Sequence, residues 1–315
     1  MQSDASGGLP AITLKNVHKR YGSLQVLDGL SLNVERGEVY GLLGRNGAGK
    51  STTIRLLMGI TQADEGLVSL FGEDIRHALI PIRQRIGYVA QEQHFYPWMS
   101  PKALGNFLKG FYPNWDNQRY AQLLQRFELP LKRKSAVFSG GMKAKLALSV
   151  ALASKPQLLI LDEPTAGMDP VARREFLDLV REEATQAGTS TFFSTHLIDD
   201  IESIASRIGI VENGKTIYDG SLQALSQGVV AYRIDSENDF PDALPGEFVK
   251  QAAQVLQHAQ SPQHRTLILK FADNVPADVP LNLGWYAHPM SLEDIFIAVV
   301  AGRSQGRNQG QQKWP

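Results

Sequence analysis

The sequence predicts an α/β fold in which the strands of a mostly parallel sheet alternate with helices. Three short apolar runs, at residues 38–44, 158–162 and 189–195, predict strands that are buried on both faces. Helical spacing of apolar residues follows in the stretches 50–60 and 171–188, and the second of these ends at a glycine. Strands and helices in this order are typical of a domain built on a central parallel sheet.

Two regions depart from this alternation. Residues 11–34 alternate and turn in a way that predicts an antiparallel β subdomain beside the main sheet. Between residues 101 and 153 helical periodicity replaces the strand signal, which predicts a helical subdomain inserted at about residues 92–155. The main domain that contains both is predicted to span residues 11–227.

The character of the chain changes again after residue 228. The predicted elements there are strands at 229–235 and 265–271, a helix at 252–260, and a closing helix at 291–302 with a serine cap. We therefore expect a small C-terminal α+β appendage at residues 228–302. The Gly- and Gln-rich stretch 303–315 is predicted to be a disordered tail.

Composition limits the classes of function. The 315 residues include 32 basic and 32 acidic side chains, and this balance argues against broad nucleic-acid binding. The absence of cysteine excludes disulfides and thiolate metal sites. No apolar run approaches the ~18 residues that span a bilayer, and the polar N-terminus does not predict a signal peptide. Any link to a membrane is therefore expected to run through a partner.

The most specific motif is a glycine-rich loop, G-x-x-x-x-G-K-S, between a predicted strand and a predicted helix. Glycines let backbone amides converge on phosphate oxygens, while the lysine reaches the β- and γ-phosphates and the serine hydroxyl ligates Mg²⁺. The residues predicted to contact nucleotide are Gly44, Asn46, Gly47, Ala48, Gly49, Lys50, Ser51 and Thr52.

A pair of acids, Asp162 and Glu163, ends the apolar run at 158–162. A carboxylate at the exit of a buried strand can hold Mg²⁺, and a neighbouring carboxylate can polarise an attacking water. Alone, the pair is equally well explained as a helix-capping acid and a surface acid. With the phosphate loop present, we assign Asp162 to the metal and Glu163 to the general base.

Three further stretches carry weaker signals. Ser139, Gly140 and Gly141 open an amphipathic helix, an arrangement that suits phosphate but that also describes an ordinary capped helix. His196 and Gln91 each follow a predicted strand, where α/β sheets place residues that contact ligand. A lone histidine or glutamine in such a place is also often structural.

Taken together, these motifs resemble those of the nucleotide-binding ATPases of the ABC superfamily, over residues 11–227, and this resemblance implies a P-loop NTPase core. Gly44–Thr52 resembles the Walker A loop, Asp162 and Glu163 the Walker B aspartate and catalytic glutamate, and Ser139–Gly141 the signature motif. The remaining matches are Tyr21 to the aromatic that stacks on adenine, Gln91 to the Q-loop glutamine that touches Mg²⁺, Asp169 to the D-loop, and His196 to the switch histidine at the γ-phosphate.

The resemblance implies ATP and Mg²⁺ as ligands and a dimer of two ATPase chains, identical or related, packed head to tail. Each ATP would lie between one chain's Walker A loop and the other's signature segment. The signature departs from the usual Leu-Ser-Gly-Gly-Gln at Phe138 and Met142, and the D-loop carries Gly167-Met168 before its aspartate. The Ser-Gly-Gly core is intact, so competence is expected to survive.

The implied function is the ATP-hydrolysing subunit of an ABC transporter, acting through a separate transmembrane permease at the cytoplasmic face of the plasma membrane. The stretches 114–131, 141–170 and 291–302 resemble those of bacterial type-2 exporter ATPases, which implies a transporter of exporter type. The alternative is a soluble ABC-type ATPase that acts on ribosomes or DNA. Aromatic clusters at 95–98 and 111–115 are either the core of the helical subdomain or a groove for the permease. The C-terminal appendage is a candidate regulatory or dimerisation element.

Overall fold

The structure is a computed structural model that describes residues 8–77, 79–235, 254–260, 264–271 and 285–306. The chain divides into two compact units, residues 1–219 and residues 220–315. This division precedes the change of composition at residue 228, since the short helix at Leu222–Gly228 contacts the strand that follows it.

The strands of the first unit form two sheets. In chain order the strands are β1 (Ile12–Tyr21), β2 (Leu24–Val34), β3 (Val39–Leu43), β4 (Glu65–Leu70), β5 (Glu73–Asp74), β6 (Ile86–Val89), β7 (Leu158–Asp162), β8 (Ser190–Thr195), β9 (Arg207–Glu212) and β10 (Lys215–Ser221). The helices are α1 (Lys50–Leu57), α2 (Leu79–Arg83), α3 (Pro101–Leu108), α4 (Asn117–Arg126), α5 (Gly140–Ala153), α6 (Pro170–Ala187) and α7 (Ile198–Ile204), with a 3₁₀ turn at Ser135–Val137.

The predicted central sheet has six strands in the order β10-β9-β3-β8-β7-β6. Its pairs β3–β8, β3–β9, β7–β8 and β6–β7 are parallel, and every residue of β3, β7 and β8 is buried, as the apolar runs predict. Leu43 pairs with Thr195 and Asp162 pairs with Ser194, so the ends of β3, β7 and β8 meet at one edge. This edge brings distant motifs together.

The predicted antiparallel subdomain is a four-stranded sheet in the order β2-β1-β4-β5. Ile12 pairs with Val34 on one side and with Leu70 on the other. These side chains belong to a core shared with α1, which follows the phosphate loop. The antiparallel sheet therefore supports the helix that begins at Lys50.

Helices α3, α4 and α5 make up the region from residue 101 to residue 153, as predicted. Ion pairs link this region to α6. Arg126 Nη1 lies 2.5 Å from Glu182 Oε2, and Lys145 Nζ lies 2.6 Å from Glu175 Oε2. Helices α4 and α5 are thus each tied to α6 by an ion pair.

The second unit contains a four-stranded antiparallel sheet in the order β12-β13-β11-β14. Its elements are α8 (Leu222–Gly228), β11 (Val229–Asp235), β12 (Gln254–Gln260), β13 (His264–Lys270), β14 (Trp285–His288) and α9 (Leu292–Gly306). The serine cap of the last helix is confirmed, because Ser291 Oγ accepts a hydrogen bond from the Asp294 backbone N–H at 3.1 Å.

One predicted element of this unit is wrong. The sequence predicts a helix at 252–260, but the described part of that stretch forms β12, paired with β13 from Gln254 to Gln260. Alanine and glutamine favour helix locally, and the long-range pairing overrides that preference. Residues 252 and 253 lie outside the described residues, as do 307–315 of the predicted tail; residues 303–306 continue α9.

None of the helices in the described part of the chain is both long enough and apolar enough to cross a membrane.

Candidate functional site

The site lies at the carboxyl edge of the central sheet, where ligands of open α/β sheets bind. The loop after β3, the acids that end β7 and the histidine that follows β8 all emerge there. Among the described residues, the structure brings together five predicted side chains, which are Lys50, Ser51, Asp162, Glu163 and His196.

Lys50 begins α1 and is 5% exposed. Its Nζ donates to the Gly44 carbonyl at 2.8 Å and to the Arg45 carbonyl at 3.3 Å, and it lies 3.2 Å from Glu163 Oε1. The lysine therefore closes the loop back on itself and neutralises a buried carboxylate. A phosphate bound in this loop would meet the same ammonium group.

The loop needs glycine for two different reasons. A Cβ on Gly44 would lie 2.6 Å from the Val211 carbonyl oxygen, and one on Gly49 would lie 2.5 Å from Leu27 Cδ2. Gly47 has φ +82° with nothing within 4 Å of its Cβ position, so its requirement comes from the backbone and not from packing. Gly49 caps α1 with no side-chain hydrogen bond, which leaves first-turn N–H groups for an anion.

The other loop residues occupy two environments. Asn46 is exposed at the tip, whereas Ala48 and Thr52 are buried against the core. The Ala48 carbonyl accepts a hydrogen bond at 3.1 Å from the backbone N–H of Gly214, in the turn between β9 and β10. Through this backbone hydrogen bond the turn supports the phosphate loop.

Asp162 is 6% exposed and lies between two hydroxyls. Ser194 Oγ donates to its Oδ1 at 2.8 Å, and Ser51 Oγ lies 3.3 Å from the same oxygen. Burial raises the pKa of Asp162 above its ordinary value, although the two serine hydrogen bonds oppose that rise. A cation bound beside this buried carboxylate would stabilise its ionised form.

Glu163 is 9% exposed and adopts φ +45°, a left-handed conformation that is uncommon outside glycine. Its backbone N–H donates to both the carbonyl oxygen and Oγ of Ser194, each at 3.1 Å. His196 Nδ1 lies 2.6 Å from Glu163 Oε2, while Lys50 approaches Oε1. Both carboxylate oxygens therefore have a defined partner, and strain of this kind is found at catalytic residues.

These residues fit a Mg²⁺ ion that is shared with phosphate. The described residues contain no group of three or more His, Asp or Glu side chains that could hold a metal alone. Magnesium bound with nucleotide takes one or two protein oxygens, phosphate oxygens and water, so it needs no such cluster. The Ser51 hydroxyl and the Asp162 carboxylate, 3.3 Å apart, are oxygen donors of the required kind.

The segment Ser139–Gly141 lies at the start of α5. Ser139 Oγ accepts a hydrogen bond from the Met142 backbone N–H at 3.2 Å, which is an ordinary N-cap. No hydrogen bond or ion pair connects it to the phosphate loop within the described part of the chain. A Cβ on Gly140 would meet nothing within 4 Å, and one on Gly141 only Met168 Cγ at 3.9 Å.

The three remaining predicted residues lie apart from the central five. Asp169 caps α6, since its Oδ1 accepts hydrogen bonds from Val171 and Ala172, and this lowers its pKa below the ordinary value. Tyr21 ends β1 with a ring 43% exposed, and Gln91 is exposed after β6. Neither Tyr21 nor Gln91 has a side-chain hydrogen bond to the five central residues in the described structure.

Neither expectation, subdomain core or permease groove, describes all the residues of the two aromatic clusters. Trp115 packs against the buried ring of Tyr120, with ring centroids 5.1 Å apart, and Tyr112 packs against Trp115, as a core interpretation expects. The aromatic surface, which consists of Tyr96, Trp98, Phe107 and Phe111, is exposed instead, with ring centroids 5.2–5.8 Å apart. Each predicted cluster contributes to this surface.

Sequence reasoning missed three residues that organise the site: Ser194, Asp200 and Gly214. Each makes its important contact with a residue far away in the sequence. Only the position of Ser194, two residues before His196 at the end of a buried strand, gave a usable signal. A serine there faces the neighbouring strand's terminal acid when the two strands pair in register.

Comparison with known proteins agrees with this geometry. A sequence model of the family described as ABC transporter matches residues 27–166. The chain is similar to the ABC transporter ATP-binding protein YtrB of Bacillus subtilis (strain 168), with 30% identity over 93% of this chain and 99% of that protein. It is also similar to the Nod factor export ATP-binding protein I of Burkholderia orbicola (strain AU 1054), with 33% identity over 93% of this chain and 98% of that protein.

Among solved structures, the chain is similar to a dimeric bacterial ABC transporter cassette. The TM-score is 0.62 at 25% sequence identity, over 67% of this chain and 98% of that one.

Proposed function

The chain belongs to the ABC transporter ATP-binding proteins, which are ATPases, and we propose that its ATP hydrolysis drives export through a separate membrane-spanning subunit. The export direction is supported by the Nod factor export protein, to which this chain is similar along nearly its full length. A permease partner would hold the chain at the cytoplasmic face of the membrane. After cell fractionation we expect it in the membrane fraction when the permease is co-expressed; an exclusively soluble chain would favour a soluble ABC-type ATPase instead.

The observation that carries the proposed dimer is the pair of glycines at the start of α5. Glycine disfavours helix relative to alanine, and the described part of the chain gives Gly140 no steric reason to be glycine. A group from outside the chain that approaches closely supplies such a reason. The nucleotide held by the phosphate loop of a second ATPase chain fits this role, in a head-to-tail dimer of identical or related chains.

Within that shared site, each chain's residues have separate tasks. Lys50 and the amides of residues 44–52 bind the phosphates, and the exposed ring of Tyr21 stacks on adenine. Glu163 accepts the proton of the attacking water, and the 2.6 Å contact with His196 orients its carboxylate. Asp169, at the cap of α6, faces the partner chain.

The metal site belongs to the same proposal. Ser51 and Asp162 would hold Mg²⁺ together with the phosphates, and Gln91 would be a further oxygen ligand. When bound there, the ion would supply positive charge that stabilises the transferring phosphate.

A matched pair of variants tests the shared site. Gly140→Ala adds a methyl group at the first helical position, where none of the described residues lies within 4 Å of it, so the free energy of unfolding should not fall, while ATPase activity should fall. Glu163→Gln should abolish turnover and accumulate an ATP-bound dimer, measured by light scattering after gel filtration. Unchanged activity in Gly140→Ala would argue against a shared site, and ordinary turnover in Glu163→Gln would remove the assigned base.

The aromatic surface is the proposed contact for the permease. Four large rings are exposed together next to the Q-loop, and Trp98 is the most exposed, at 63%. Aromatic residues are enriched where proteins bind partners. Trp98→Ala should reduce co-purification with the membrane subunit. Ile60→Ala, which removes an exposed side chain elsewhere, is the control; equal co-purification of the two variants would contradict the assignment.

A further inference from the structure

A buried carboxylate outside the family motifs connects the three segments that carry Glu163, His196 and Asp169. Asp200, in α7, is 0% exposed. Its Oδ2 accepts hydrogen bonds from Thr165 Oγ1 at 2.6 Å and from Thr195 Oγ1 at 3.3 Å. Its Oδ1 accepts a hydrogen bond from Arg173 Nε at 2.6 Å. A carboxylate with no exposed surface needs several hydrogen-bond donors, because they replace the water that it has lost.

The three side chains that donate hydrogen bonds to Asp200 lie close in sequence to the predicted site residues. Thr165 lies two residues after Glu163, and its carbonyl accepts a hydrogen bond from Met168, so it anchors the turn that leaves β7. Thr195 is the residue immediately before His196. Arg173 lies one turn into α6, where its N–H donates to the Asp169 carbonyl at 2.9 Å.

Thr195 and Arg173 make further contacts that show how Asp200 is connected to the turn containing His196. Thr195 Oγ1 also accepts a hydrogen bond from the Leu197 backbone N–H at 3.0 Å, so the hydroxyl that bonds to Asp200 holds the turn containing His196. The guanidinium of Arg173 is directed at Asp200, with Asp199 farther away at 3.7 Å. Replacing the Asp200 carboxylate would weaken its hydrogen bonds to Thr165 and Thr195, which lie in the turns that carry Glu163 and His196.

We propose that Asp200 is a positioning residue for ATP hydrolysis, one that fixes Glu163 and His196 relative to each other through Thr165 and Thr195. The proposal rests on the proposed roles of that pair. Asp200 has no hydrogen bond or ion pair with Lys50 or Ser51 in the described structure, and two carbonyls hold Lys50 besides its contact with Glu163. The effect of Asp200 should therefore fall mainly on kcat, with a much smaller change in KM.

Thr165 offers the least disruptive test. Thr165→Val removes the hydroxyl that bonds to Asp200 with little change of shape, and Thr165→Ser keeps that donor. We expect Thr165→Val to lower kcat on the order of tenfold to a hundredfold with KM for ATP changed less than about twofold, because small misplacements of catalytic groups act on this scale. Thr165→Ser should restore most of kcat.

Asp200→Asn, assayed as the full chain, should show the same split between kcat and KM. Its control is Asp219→Asn. Asp219 also bonds to an arginine and a hydroxyl, with Arg207 Nη2 at 2.8 Å and Tyr40 Oη at 3.1 Å, but it has no hydrogen bond or ion pair with a motif residue in the described part of the chain. We expect the control to lose stability and to keep kcat.

Two results would overturn the proposal: wild-type kcat in Thr165→Val, or equal loss of kcat in Thr165→Val and Thr165→Ser. Glu163→Gln is measured in parallel. If it still turns over, the assigned base is wrong; if it is inactive while Thr165→Val is fully active, only the role of Asp200 is wrong.

Discussion

The turn between β9 and β10 gives the sharpest test of how the phosphate loop is supported. Gly214 has φ +72°, and a Cβ on it would lie 2.2 Å from the Val26 carbonyl oxygen and 2.8 Å from Leu27 Cα. Both neighbours are backbone atoms, which cannot turn aside. Its N–H donates to Ala48 and its carbonyl accepts from Asp28. Gly214→Ala therefore forces the turn away from the loop.

The magnitude follows from two contributions. A left-handed conformation costs a residue with a Cβ roughly 1–2 kcal/mol. Overpacking against fixed neighbours costs roughly 1–3 kcal/mol more. We expect the free energy of unfolding of the first unit to fall by about 2–5 kcal/mol in Gly214→Ala, and KM for ATP to rise, because the displaced turn no longer braces Ala48.

The matched control is Gly188→Ala. Gly188 has a similar φ of +65° at the C-terminus of α6, but no atom of the described residues lies within 4 Å of its Cβ position. Only the conformational contribution applies, so the expected loss is about 1–2 kcal/mol, with KM unchanged. Urea unfolding measures both variants, and the transition of the first unit is the one that ATP shifts in the wild type. Equal losses in the two variants would refute the reasoning.

Three further predictions concern stability. Ser194→Ala should lower the free energy of unfolding by about 1.5–3 kcal/mol, because it removes a buried hydrogen bond to the charged Asp162. Phe138→Ala, which deletes a ring that is 6% exposed, should cost about 3–5 kcal/mol. The hydrogen bond from Arg126 lowers the pKa of Glu182 below its ordinary 4.5, so the folded state binds fewer protons than the unfolded state there. The destabilisation of Arg126→Met should be fully present above pH 4.5 and be lost as the pH falls through the lowered pKa of Glu182. Urea midpoints at several pH values measure all three variants, and a pH-independent effect of Arg126→Met would contradict the third prediction.

Local pattern predicted the main elements well, because buried strands such as β7 and β8 are short, wholly buried and followed by polar ends. It failed at β12, where the local preference for helix lost to pairing with a strand that follows later in the chain. Local rules measure each residue's own tendency, and a sheet is stabilised by partners that those rules do not see.

The site shows the same division. The glycine loop and the paired acids are each complete motifs within a few residues, so the sequence predicts their chemistry. The contact between Ser51 and Asp162 joins residues 111 positions apart, and the one between Thr165 and Asp200 joins residues 35 apart. These contacts form because the ends of the parallel strands lie at one edge of the sheet. Which strand ends are neighbours depends on the strand order, which no short stretch of sequence specifies.

The position of Lys50 has a consequence for how ATP affinity is interpreted. Its ammonium group already has three oxygen partners in its own chain, two carbonyls and Glu163. Phosphate binding is then an exchange, and the measured dissociation constant reports how much more strongly the lysine interacts with phosphate than with these internal oxygens. A neutral glutamine at position 163 weakens one competitor for the lysine, so tighter nucleotide binding in Glu163→Gln would have an origin separate from the loss of hydrolysis. Affinity measured with a nucleotide that cannot be hydrolysed separates the two effects.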